Sequence, residues 1–382
     1  MSEIFAIVYA NLKGNLGDFA ILHSMLSDIR SRAPDSVIHV YSQPFVSIDD
    51  ARLKAFKQST HSFDHVGTTY PDDRPLGPSM ARGLRAVGGL KLYQKWRTSR
   101  LAEKASADFG RQFAQYKAVF VAGGAQWTGL NSGVSMFANL RAIASCNTAI
   151  YSYPVSVSSS LWKVNDKASL SHDLSLIREP LIARDSQTHK LFKELKLNTV
   201  LGADCVFAAL QPASRLAQTE SQRKRLLFVL TSQTSDQIEA AVNVAREAGL
   251  EPSLLSTCAI EDGPVQKMVA ERLEVDFIAP LTWQDAVTEM ESSAMVVTNR
   301  LHGLILASFS QSCVLPLVDR PKVKAVVQDA LLPVHVDALA DLNAASFNLA
   351  RSRADEIRVK LDTFRQKALR LPWSPLGASG ET

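Results

Sequence analysis

Short apolar runs rich in β-branched and aromatic residues alternate along the first half of the chain with stretches whose apolar positions recur every three to four residues. The runs EIFAIVYA, SVIHVYS, KAVFVAGG, NTAIYSY and LIARD read as strands, and the segments between them as helices. Strands that take turns with helices predict a parallel sheet, because a parallel pair needs a long crossover. After residue 210 the polar segment QPASRLAQTESQRKR breaks the alternation and reads as a linker, and a fresh strand, Leu226 to Leu230, follows it.

The second half repeats the scheme: strand LLFVL, helix DQIEAAVNVAREAG, strand PSLLST, strand VDFIAP, helix TWQDAVTEMESS, strand AMVVTN, helix HGLILASFS, strand SCVLPLV, helix KVKAVVQDA. The fold class predicted is α/β, with two Rossmann-like doubly wound domains facing a cleft, the architecture called GT-B. Ligands bind such sheets at the carboxyl ends of the strands. The expected division is 1–212, 213–345 and a C-terminal helix with a disordered tail over 346–382. That helix, Ala354 to Leu371, carries Ile357, Leu361 and Phe364 on one face and is expected to pack back across the first domain. The tail SPLGASGET has little to order it.

Composition sharpens this picture in three places. At 382 residues the chain is long for one core. A net charge of only +4 gives no footprint for nucleic acid, so any anion preference is local. Cys146, Cys205, Cys258 and Cys313 lack Cys-x-x-Cys spacing, which suggests neither zinc nor a disulfide framework and fits reduced thiols in a cytoplasmic protein. The start MSEIFAIVYANLK has no basic n-region, and no window approaches the about 18 apolar residues of a membrane helix. One local charge concentration stands out. Arg82, Arg85, Lys91, Lys95, Arg97, Arg100 and Lys104 interleave with Leu90, Leu92, Tyr93 and Trp96. The segment 82–104 is either a solvated helix face or a surface for an anionic membrane or acceptor.

Four motifs carry candidate chemistry. GNLGDFAI lies between a strand and a helix; Gly14 and Gly17 permit close backbone approach, Asn15 stands between them, and Asp18 offers a carboxylate or an N-cap. Its spacing matches neither the dinucleotide fingerprint nor the Walker loop. VFVAGGAQW ends a strand in Gly123-Gly124, which suits either a plain turn or a ligand. LIARDSQTHKLFKEL brings Arg184, Asp185 and Thr188 to a strand end, with GADCVF and its Asp204 about twenty residues on. VVTNRLHGLILAS delivers Asn299, Arg300 and His302 to a helix start, with Lys322 following the next strand. Arginine supplies a fork for phosphate or carboxylate, and histidine a proton near neutral pH.

In this order and context the four motifs resemble the polysaccharide pyruvyl transferase family over roughly residues 8 to 330. The resemblance implies a GT-B-like fold and transfer of the enolpyruvyl unit of phosphoenolpyruvate onto a sugar of an exopolysaccharide or lipid-linked precursor, forming a pyruvate ketal. It points to Arg184, Arg300, His302 and Lys322 as donor-binding residues, with Asp18 matching the acid of the Gly-Asp motif. The sequence departs from the family pattern at Thr188, where Ser is commoner, at Lys196, where Gly usually follows, and at YSYPVSVSSS, which replaces a Gly-rich stretch.

Phosphoenolpyruvate carries a phosphate and a carboxylate, and Arg184, Arg300 and Lys322 supply matching cations. His302 is the candidate general acid/base or phosphate holder, with Asp18 across the cleft as candidate base; the two roles are interchangeable. Gly14, Asn15, Gly17, Gly123 and Gly124 are expected to line the cleft. Neither a cofactor nor a metal is called for. Two rivals stand beside this reading. One is a nucleotide-sugar glycosyltransferase of the same fold, with Glu261 or Asp262 holding a ribose; the other is a non-catalytic glycan-binding member of an export complex. Peripheral contact with the inner membrane face through 82–104 is a further expectation.

Overall fold

The computed structural model describes residues 2–43, 48–69, 78–127, 130–157, 167–209, 224–310 and 312–376. The first half runs β1 (Ile4–Ala10), α1 (Leu16–Arg32), β2 (Val37–Ser42), α2 (Asp50–Ser59), β3 (Asp64–Thr68), α3 (Pro78–Ala86) and α4 (Leu90–Phe113). It continues through β4 (Ala118–Val121), β5 (Gly124–Trp127), α5 (Leu130–Ala144), β6 (Ala149–Ser152), β7 (Val155–Val157) and α6 (Lys167–Leu174). It ends with β8 (Leu181–Ala183), α7 (Ser186–Glu194), β9 (Thr199–Leu201) and α8 (Val206–Ala209). The second half runs β10 (Arg225–Val229), α9 (Ser235–Glu247), β11 (Glu251–Leu255), α10 (Gly263–Leu273), β12 (Asp276–Ile278) and α11 (Trp283–Glu291). There follow β13 (Met295–Thr298), α12 (Leu301–Ala307), β14 (Cys313–Pro316), α13 (Pro321–Asp329), α14 (Ala344–Ser352) and α15 (Ala354–Leu369).

Two five-stranded sheets result, ordered β3-β2-β1-β4-β6 and β12-β11-β10-β13-β14, with every pairing parallel. Both wind outward from their first strand and then return on its other side, so each has a switch point, between β1 and β4 and between β10 and β13. A crevice opens at the carboxyl ends of the strands there. The strands beside these points are buried on both faces; β4, β13 and β14 are buried at all four positions. Burial of each such Val, Leu or Phe side chain contributes about 1.5–3 kcal/mol, which makes these strand ends rigid mounts for the side chains that follow.

The first half differs from its sequence reading. Gly124 does not end a strand; it opens β5, which joins β7, β8 and β9 in a third, four-stranded parallel sheet. These strands are only three or four residues long, too short to show a period. In the second half, α10 lies between the two strands read there as consecutive, as their parallel pairing requires. The linker read at 211–225 lies largely outside the described residues, as does the tail beyond 376.

The closing helix bridges the halves. It packs on β14 and on α8, where the Phe364 ring meets Phe207 edge-on at 5.6 Å. The chain beyond it crosses the first half: the Pro372 carbonyl accepts from Ala203 N at 3.3 Å, at a point where Gly202 has no room for a Cβ.

A candidate active site between the two sheets

The GNLGD loop is spent on the seam between the halves. Asn15 caps α1, its Oδ1 accepting from Gly17 N at 3.2 Å. Asp18 therefore sits in the first turn and is not the cap. Leu16 N donates to the Thr257 carbonyl at 2.9 Å, across the seam. Gly14, with φ of +87°, leaves its carbonyl to the buried Arg52, whose guanidinium also donates to Thr257 O at 2.8 Å and Ser256 O at 2.9 Å. With these N–H groups engaged, the helix start is not a phosphate cradle. Gly17 serves another purpose: a Cβ there would overlap the His302 ring, so the glycine lets a side chain of the second half lie directly on the first.

His302 reaches this spot because β13 ends in Thr298 and the chain turns at once into α12, with Thr298 Oγ1 accepting from Arg300 N at 3.1 Å. Gly303 packs against Thr298 and Val229 where a Cβ would clash. His302 Nε2 lies 3.5 Å from Asp204 Oδ2. Asp204 also takes Arg184 Nη1 at 2.9 Å; both side chains are 5 % exposed. Burial alone raises the Asp204 carboxyl, but the Arg184 charge and His302 outweigh it and hold Asp204 well below the usual carboxylate range. Arg184 Nε donates to Ser156 Oγ at 2.8 Å, which fixes the plane of the guanidinium.

Asp18 completes the group from the first half. Asn11 Nδ2 donates to Asp18 Oδ2 at 2.6 Å. Burial pushes the Asp18 carboxyl up, and the nearby charges of His302, Arg184 and Lys322 offset this only in part. Beside it a cavity of about 10 Å³ is lined by Ala10, Asn11, Ala122 and Gly123, room for about one water. Lys322, on the first turn of α13, keeps part of its surface open to solvent; burial of the rest, then the Arg184 charge, bring its ammonium down to about 8.

The geometry thus brings together Asp18, Arg184, His302 and Lys322, with Asp204 between them. It turns Arg300 elsewhere. The Arg300 Nε donates to Leu230 O at 3.2 Å and its guanidinium is ion-paired with Asp262. Asp262 also accepts from Thr231 Oγ1 at 3.1 Å and Ser232 N at 3.3 Å. Cys258, Glu261 and Asp262 hold three ligand-type atoms within 4.8 Å of one another, but the cation already at that corner is Arg300. Asn299 is structural, tying β13 to Thr231 at 2.8 Å and 3.1 Å and to Asp319 at 3.2 Å. Gly124, with φ of +103°, donates to Pro154 O at 2.9 Å and starts β5. Thr188 Oγ1 accepts from Val157 N at 3.0 Å, so it ties the helix that follows Arg184 to β7.

A family model described as polysaccharide pyruvyl transferase matches residues 15–311. That span contains Asp18, Arg184, Asp204 and His302 and ends before Lys322. The chain belongs to the polysaccharide pyruvyl transferase family. Membership makes the protein a transferase. No curated protein matches it in sequence. Solved structures similar to it include the UDP-GlcNAc 2-epimerase from Neisseria meningitidis bound to UDP-GlcNAc, at 12% identity and TM-score 0.52 over 98% of this chain and 95% of that one. S. aureus MnaA with UDP gives 13%, 0.56, 98% and 93%. The Anabaena Alr3699/HepE complex with UDP and glucose gives 11%, 0.51, 96% and 94%. At such identities the likeness is one of fold, and it agrees with two Rossmann-like domains in a GT-B-like arrangement.

Within the family frame, the part of the site that sequence reasoning left without a role is Asp204. Its signal was present as the later Asp of the Arg-Asp motif, but only folding reveals that it joins Arg184 to His302. Arg52 gave no signal beyond a charged residue on the apolar side of α2.

Proposed function

We propose that the protein transfers the enolpyruvyl unit of phosphoenolpyruvate to a sugar of a polysaccharide or lipid-linked precursor, closing a pyruvate ketal and releasing phosphate. Support comes above all from the meeting of Asp18, Arg184, Asp204, His302 and Lys322, drawn from both halves, at the carboxyl ends of the strands. In this reading 1–212 forms the acceptor side, 213–345 the donor side, and 346–382 the closing helix and tail. The reading carries a cytoplasmic location.

Arg184 and Lys322 bind the donor phosphate or carboxylate, each charge-assisted hydrogen bond contributing about 1.5–3 kcal/mol. Arg300, its charge paired with Asp262, contributes by fixing the backbone that aims His302. The methylene carbon takes a proton and C2 develops oxocarbenium character. One sugar hydroxyl bonds to C2, the C2–O–phosphate bond breaks, and a second hydroxyl closes the ring; of the two hydroxyl protons released, one balances the new methyl and one leaves with phosphate. An Asp18 carboxyl raised by burial suits proton delivery. His302, steadied by Asp204 at 3.5 Å, suits removal of the acceptor proton. Gly14, Asn15 and Gly17 form the lip that brings the halves together, and Gly123 borders the space beside Asp18.

Of the two carboxylates the glycosyltransferase alternative could use, Asp262 is already taken, which leaves it the exposed Glu261, 3.7 Å from Lys13. A ribose at Asp262 would have to displace Arg300, Thr231 and Ser232 from that carboxylate. Thermal-shift measurement separates the readings: phosphoenolpyruvate at a hundred times its Kd raises stability by about 2.7 kcal/mol, and UDP-sugars leave the melting temperature unchanged. Stabilisation by UDP-sugars alone would transfer support to the alternative.

A further inference from the structure

Between β3 and β4 the chain leaves the sheet as a helical hairpin, α3 and α4, turning at Val87-Gly88-Gly89 with Gly88 at φ +69°. The hairpin has a small apolar cluster of its own, Ala81 and Leu90 with Leu84 and Tyr93. Outside that cluster it presents Val87, 79% exposed, Leu92, 73%, and Met80 and Trp96, each 52%. Arg82, Arg85, Lys91, Lys95 and Arg100 are exposed around them, and Glu103 is the only acid between 78 and 104. Leu92, Trp96 and Arg100 follow at four-residue spacing and share a face. The Arg100 guanidinium lies 5.4 Å from the Trp96 ring centroid, and the Tyr93 ring 5.7 Å.

The hairpin also points the right way. The end of α4 is tied to the amino ends of the strands: Thr148 Oγ1 donates to Phe113 O at 2.9 Å and Lys117 N to Ile4 O at 2.8 Å. A helix of 24 residues is about 36 Å long, whereas the four residues of β4 span about 13 Å. The first turns of α4 therefore extend toward and past the carboxyl ends, the side on which Asp18 and His302 meet.

We propose that this hairpin docks the protein on an anionic lipid surface. Val87, Leu92 and Trp96 enter the headgroup layer while the five exposed basic side chains meet lipid phosphates. A polyanion would account for the basic residues but leave the exposed Val87, Leu92 and Met80 without a partner. Docking would present a lipid-linked acceptor to the cleft; only that last consequence rests on the proposed function, because docking itself involves no turnover.

The test uses the full chain with vesicles of equimolar phosphatidylglycerol and phosphatidylcholine, and with phosphatidylcholine alone. Sedimentation is expected with the mixed vesicles only, weakening as salt rises. Replacing Arg82, Arg85, Lys91 and Lys95 together by Gln lowers the partition coefficient about 100-fold or more, while phosphate release on a water-soluble acceptor persists. In the wild-type chain, tryptophan emission shifts to the blue on mixed vesicles, and Trp96→Phe removes the shift, a readout that does not depend on the quadruple variant folding. The proposal is overturned by absence of wild-type binding, by undiminished binding of the folded quadruple variant, by preference for a single-stranded polynucleotide, or by a dimer that Leu92→Glu dissociates.

Discussion

Gly17→Ala isolates the contact on which the two-sided site depends. The glycine lies in the first turn of α1 with no positive φ, so by propensity alone alanine stabilises the helix by about 0.5–1 kcal/mol. Here the added Cβ falls within the van der Waals shell of His302 at Cβ, Cγ and Nδ1. Carbon atoms rest at about 3.5–4 Å, so the ring or the seam gives way by on the order of 1 Å. Overpacking of this kind costs about 1–3 kcal/mol, which leaves a net loss of about 0–2.5 kcal/mol. Misplacing a catalytic group by about 1 Å costs on the order of 100-fold in rate. Chemical denaturation and phosphate release from phosphoenolpyruvate with acceptor read the two effects separately. A variant that gained the full helix-propensity increment and kept wild-type turnover would refute the packing of His302 on Gly17.

Asp18→Asn keeps the contact with Asn11 but removes a carboxylate that burial disfavours. Its raised value means that the ionised form costs stability above the ordinary Asp range, so the variant melts higher at neutral pH while turnover falls about 10²–10⁴-fold. Lys322 titrates at about 8, so the KM for phosphoenolpyruvate rises as pH passes that value, and in Lys322→Arg it stays flat there; an unchanged inflection in the variant would remove Lys322 from donor binding. Arg184→Ala leaves Asp204 buried without its cation and is expected to cost about 3–5 kcal/mol of stability as well as donor affinity. Since Asp204 is depressed in the folded chain, its contribution is present above the ordinary Asp value and lost as pH falls through the depressed one. The variant therefore unfolds at higher pH than wild type in an acid titration followed by circular dichroism.

The alternation of strand and helix, and with it the doubly wound fold, is visible in the sequence because β1, β10, β13 and β14 are continuous apolar runs. What hides is what depends on short elements or distant partners. The edge strand β3, DHVGT, is half exposed and carries no apolar run. Helix α10 begins with Gly263-Pro264 and leaves Val265 and Met268 exposed, which blurs its apolar stripe. At the site, Asp18, Arg184, His302 and Lys322 stand out because they end strands or start helices. The turn of Arg300 toward Asp262, 38 positions earlier, belongs to tertiary packing, and so does Asp204 standing between Arg184 and His302. Asn15 takes the cap position by accepting from Gly17 N, which leaves the Asp18 carboxylate to Asn11.

The central claim is most directly tested by incubating purified protein with phosphoenolpyruvate and a glycan acceptor and following phosphorus and proton resonances together. Stoichiometric appearance of inorganic phosphate with a new methyl singlet on the sugar, abolished in His302→Ala and in Arg184→Ala, is the predicted result. Phosphate release that continues undiminished in His302→Ala, or sugar transfer from a UDP-sugar with phosphoenolpyruvate untouched, would contradict the account.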